Sequence, residues 1–159
     1  MGKSSTFVKA FKAHLEDNFL GNRVDSIVVT HLSIVEAIDA GIIKPTVSDQ
    51  VQRVKRAILI RRASEDLSEI RAGDRRRLTS AGVFDVAVLV SSEFSDDGEE
   101  IVYEILDLVD EIQTSIEDAP VSASDSAYNV SLRSVVDAAD TASKFFGSIV
   151  TVEASLVHV

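Results

Sequence analysis

The chain has 159 residues, 45% of them hydrophobic, a formal charge of −10 at pH 7 and no cysteine. That length suits one domain with its own core, and the acidic balance excludes a protein whose whole surface serves to neutralise nucleic-acid phosphates. The missing cysteines exclude disulfides, thiolate metal sites and cysteine nucleophiles. No apolar run approaches the roughly 20 residues that cross a bilayer, and nothing reads as a signal peptide, so a soluble domain over residues 1–159 is expected.

Taken in order, Phe7, Val8, Phe11, Leu15 and Phe19 recur at helical spacing after Ser4-Ser5-Thr6, which predicts a first helix over 5–20 closed by Gly21-Asn22. The opening Met1-Gly2-Lys3-Ser4-Ser5-Thr6 fits a loose myristoylation pattern and the tail of a phosphate loop, but no strand or upstream glycine precedes it, so it reads as a helix start. Residues 23–43 fit a helical stripe and are also rich in β-branched residues at Ile27, Val28, Val29 and Thr30; helix is expected after His31, closed by Gly41, with Lys44-Pro45-Thr46 as a loop. A short turn or helix from Ser48 to Val54 leads to Ala57-Ile58-Leu59-Ile60 as the first strand.

Ala81 to Ser91 reads as the next strand, with Phe84, Val86, Val88 and Val90 on a buried face and Asp85, Ala87 and Leu89 on a partly covered one. The polar connection between these strands holds Arg61, Arg62, Arg71, Arg75, Arg76 and Arg77, and predicts a hairpin with an extended arm at 61–80. Asp96-Asp97-Gly98-Glu99-Glu100 then opens a long helix ending before Pro120. Its cap is expected to pair Asp97 with the Glu100 amide, and Ile101, Val102, Ile105, Leu106, Leu108, Val109, Ile112 and Ile116 are expected to form one apolar stripe. Glu99, Glu100, Glu104, Asp107, Asp110 and Glu111 lie off that stripe. Val121 to Ala127 reads as a connector, Tyr128 to Val135 as a strand, Asp137 to Lys144 as a polar link, and Ile149 to Val159 as a closing strand.

No catalytic constellation emerges. His14, His31 and His158 fall in separate elements without a partner at ligand spacing, so no metal site is expected. The serines lack a nucleophile-elbow context, and no glycine-rich loop follows a strand, so no cofactor is expected either. The separation of charge says more. Nine of the sixteen basic residues fall between Arg53 and Arg77, whereas between Arg77 and Arg133 there are thirteen acids and no Lys or Arg. Such polarity serves solubility, or it serves identical subunits that meet head to tail, the basic arm of one against the acidic face of the next, closing into a ring. The predicted fold is α+β, one domain, with a mixed or antiparallel sheet carrying a long hairpin and packed against two or more helices.

That order of elements resembles the tail-terminator and tail-completion proteins in the neck of long-tailed bacteriophages. The likeness rests on the short opening helix from Phe7 to Leu20, the hairpin from Ala57 to Ser91, the helix from Gly98 to Glu117 and the last strand from Ser148 to Val159. It covers most of the chain in architecture and carries no residue-level fingerprint; residues 23–55 are longer than the simple loop the family leads one to expect. The resemblance implies a virion protein without enzymatic activity, made in the host cytoplasm. It would form a hexameric ring that caps the tail tube and meets the head-completion or connector protein, touching no membrane and meeting nucleic acid only through the tail lumen. Arg71, Arg75, Arg76 and Arg77, with Glu99, Glu100, Glu104, Asp107, Asp110 and Glu111, are then the candidate contacts between subunits or with the tube. Another neck protein, such as a stopper, fits the same pattern. A cellular module that binds a basic protein through the acidic helix is the alternative from a different class, and a small enzyme with a carboxylate site comes third.

Overall fold

The computed structural model of the chain describes residues 3–19, 23–41, 54–63, 80–118, 121–123, 126–140 and 145–157. The elements are α1 (Lys3–Phe19), β1 (Ser26–Val29), α2 (Ile34–Asp39), β2 (Arg56–Arg62), β3 (Ser80–Ser91), α3 (Gly98–Asp118), β4 (Val121–Ala123), β5 (Ser126–Asp140) and β6 (Phe145–Leu156). The strands form one sheet in the order β1-β2-β3-β6-β5-β4. Among the described strands only β1 and β2 run parallel, which demands a crossover, and α2 lies within it. The expected α+β class with a mixed sheet is what the chain adopts.

Strand alternation divides the core in two. Ile58 and Ile60 of β2, Phe84, Val86, Val88 and Val90 of β3, and Val150, Val152 and Ala154 of β6 meet α1 and α3 on one face. Ala57, Leu59, Ala87 and Leu89 point to the other face and cluster with Ala37 of α2. On the larger side Phe7 is the hub, its ring 5.4 Å from Phe11, 5.2 Å from Phe84 and 5.2 Å from Tyr128, centroid to centroid. His14 donates from Nε2 to the Ser115 carbonyl at 2.9 Å and so ties α1 to α3.

The β2–β3 hairpin pairs from Arg56↔Val90 to Arg62↔Phe84, as the alternation predicts. Of the expected arm, Arg61 and Arg62 belong to β2 and Ser80 to β3, while 64–79 lie outside the described residues. The predicted turn over 48–53 also lies outside them.

Three expectations need correction, and the helix expected before Gly41 is found. The first strand is β1, not β2: Ser26–Val29 takes the extended form its β-branched residues favour. The Asp25 carboxylate holds it in register by accepting the amides of Lys55 (2.9 Å) and Arg56 (3.1 Å). The helix expected after His31 is α2, started by Ser33, whose hydroxyl accepts the Glu36 amide, and closed as expected at Gly41, whose φ of 67° suits a residue without a Cβ. The connector after Pro120 contains β4, which forms a hairpin with β5 (Val121↔Tyr128 to Ala123↔Ser126). Of the expected polar link over 137–144, residues 137–140 are strand, because ladder bonds to β6 outweigh the low strand propensity of Asp and Ala, and 141–144 lie outside the described residues. Gly147 serves the other ladder of β6, the one with β3, where it lies opposite Leu89. A Cβ there would strike the carbonyl oxygen of Val88 on β3.

Candidate interaction surface on the acidic helix

α3 is 21 residues long and starts from a tight N-terminal cap. Asp97 Oδ1 accepts the amide of Glu99 at 3.0 Å, not that of Glu100. The Glu100 carboxylate is held by the Ser95 hydroxyl at 2.6 Å, so the expected bond from Asp97 to the Glu100 amide is replaced by two neighbouring bonds. Glu99 and Glu100 in the first turn also suit the positive end of the helix dipole.

At 100° per residue, Ile101, Ile105, Leu108, Val109 and Ile112 share the face that enters the core. Val102 and Leu106 fall to the side of it. They are 51% and 53% exposed, and Tyr103 beyond them is 55% exposed, so the broad stripe expected from the sequence is in fact a core stripe with an apolar shoulder facing out. The Tyr103 hydroxyl donates to the Glu99 carboxylate at 2.6 Å, and this bond, with a smaller contribution from burial, pushes the phenol above its usual pKa.

The six candidate acids separate into two groups. Glu104 and Glu111, seven residues apart, turn toward the body of the protein. Arg23 bridges them, Nη1 to Glu104 at 3.0 Å and Nε to Glu111 at 2.9 Å, and Arg56 reaches Glu104 at 3.3 Å. Arg56 also lies over the ring of Phe94, 5.5 Å from its centroid. The expectation that the acidic helix depends on the arm for its counter-charges is therefore wrong for these two residues: they are neutralised from β2 and from the turn before β1. Glu99, Glu100, Asp107 and Asp110 face solvent, and among the described residues Asp107 and Asp110 make no ion pair. Arg71, Arg75, Arg76 and Arg77 lie outside the described residues.

The outward surface is thus Val102, Tyr103 and Leu106 bordered by Glu99, Asp107 and Asp110. Sequence reasoning missed its apolar part by assigning Val102 and Leu106 to the core, although the helical angles of those positions separate them from Ile101 and Ile105. It missed Arg23 and Arg56 as well, for which distance along the chain left no signal. Among the described residues no group of three His, Asp or Glu side chains is placed to hold a metal ion, and no helix is long and apolar enough to cross a membrane. No family model matches the chain, and no characterised protein matches it.

Proposed function

We propose that the protein is a structural subunit that assembles head to tail into a closed ring, the role implied by its resemblance to phage tail-terminator proteins, where such a ring caps the tail tube and meets the head connector. The observation that carries this reading is the outward face of α3, where three large apolar side chains stand more than half exposed beside acids that the described residues leave unpaired. An aromatic and aliphatic centre with a charged border is the chemistry of a protein interface. The complementary charge is present in the same chain, since Arg71, Arg75, Arg76 and Arg77 have only a few acids near them in sequence. Two different, complementary surfaces on one chain produce rotation-related copies, and a rotation that closes produces a ring. Binding takes the place of catalysis in this role.

Light scattering with negative-stain imaging of the full chain, alone and with purified tail tubes, tests the proposal. Closed rings with a central hole, free or seated on tube ends, are expected. A strict monomer at high concentration under both conditions, or compact dimers without a hole, contradicts it and favours a module that binds a basic protein through α3.

A further inference from the structure

Glu99, Tyr103 and Asp107 recur every four residues along α3, so a carboxylate lies about one turn, roughly 6 Å of rise, from the phenol ring on either side of it. Tyr103 is more than half exposed, and its hydroxyl, donating to Glu99 at 2.6 Å, fixes the ring beside that carboxylate. Another side of the same helix shows what a carboxylate and a ring hold together. There Glu104 receives Arg56 at 3.3 Å while the Arg56 guanidinium lies over the Phe94 ring, 5.5 Å from its centroid. The carboxylate supplies a charge-assisted hydrogen bond and the ring an electron-rich face. The outward side repeats these parts, with Tyr103 for Phe94 and Glu99 and Asp107 for Glu104. Among the described residues no guanidinium is placed on it.

We infer that the outward face of α3 is a receptor for an arginine side chain of a second copy, the guanidinium stacked on the Tyr103 ring and donating to one of the flanking carboxylates. The assignment rests on head-to-tail pairing and goes beyond charge: α3 selects arginine over lysine, and Tyr103 is the residue that selects. A planar, weakly hydrated guanidinium stacks on a ring, whereas a compact ammonium keeps its water. The chain supplies the matching partner, since residues 71–77 hold four arginines and no lysine. Leu106, exposed one turn along from Tyr103, offers apolar surface to the methylenes of the incoming side chain.

The test uses the full chain with Arg75, Arg76 and Arg77 changed to Ser, which keeps α3 and lacks that run of arginines. The probe is a synthetic peptide of residues 70–79, titrated at low salt beside the same peptide with lysine at its four arginine positions, which carries the same charge. Amide chemical shifts follow both titrations. The arginine peptide is expected to bind about 2- to 5-fold tighter, the scale of one exposed cation–π contact, with the largest shifts centred on Tyr103 and Leu106. Tyr103→Leu added to the receptor should bring the two affinities together, and Tyr103→Phe, which keeps the ring, should hold them apart. Equal affinities on the unaltered face, a preference that survives Tyr103→Leu, or shifts centred away from α3 would each overturn the arginine receptor. In the first two cases, with shifts on α3, charge pairing between copies would still stand. Failure of both peptides to bind would contradict that pairing itself, and the receptor with it.

Discussion

Glu104 keeps 11% of its side chain exposed and receives two guanidinium groups, whereas Glu111 is 44% exposed and receives one. Glu104→Ala leaves Arg23 and Arg56 partly buried without that acceptor and should cost about 1–3 kcal/mol in urea unfolding. Glu111→Gln should cost less than about 1 kcal/mol, as solvent-exposed pairs do. Equal effects would show that Glu104 is no anchor for the turn before β1. Tyr103 provides a second reading of the same surface. Because the Glu99 carboxylate is the main cause of its raised pKa, Glu99→Gln should move the phenol's titration midpoint down toward the usual value, followed by the Tyr103 ring resonances. Gly147→Ala should destabilise by about 1–3 kcal/mol or more, since the new methyl meets backbone on β3 and not a side chain that can swing away.

At the scale of elements, α3 is the sharpest case. Ile105→Asp buries an unpaired charge against the sheet and should cost about 3–5 kcal/mol, while Leu106→Asp, one position on, should melt within a few degrees of the parent. Thermal melts of the two variants side by side check which face enters the core. α1, the β2–β3 hairpin and α3 were legible because each has a strong local period: Phe7, Phe11 and Leu15 at helical spacing, Phe84 to Val90 in alternation, Ile101 to Ile112 along one stripe. β1 was obscured because Val24, Ile27 and Val28 fit a helical stripe while Ile27, Val28, Val29 and Thr30 are β-branched, and what favours the strand is non-local: its ladder with β2, held by the Asp25 carboxylate on an amide 30 residues away. The Ser33…Glu36 capping signature that restarts the helix was present in the sequence and went unread. The far half of β5 could not be read locally at all. Val136-Asp137-Ala138 is strand because Ile149, Ser148 and Gly147 lie beside it.

For the whole molecule, charge separation was visible in the sequence but its structural use was only half legible. Two of the six acids stabilise the fold from within, and Glu99, Asp107 and Asp110 border an apolar shoulder that composition did not reveal. An interface built this way has a salt-sensitive part, from Asp107, Asp110 and the arginines, and a salt-resistant part, from Val102, Tyr103 and Leu106. Changing Arg75, Arg76 and Arg77 together to Ser should leave the melting temperature of the isolated subunit unchanged and reduce assembly most clearly at moderate salt. Leu106→Lys should reduce assembly at every salt concentration.

Mixing these two defective proteins tests the head-to-tail claim most directly. Each variant keeps the surface the other has lost, so one sound interface can form between them but a closed ring cannot. Sedimentation velocity is expected to find each variant monomeric alone and a one-to-one heterodimer in the mixture, under conditions where the parent forms rings. A mixture that stays monomeric while the parent assembles would contradict pairing of the basic segment with the outward face of α3.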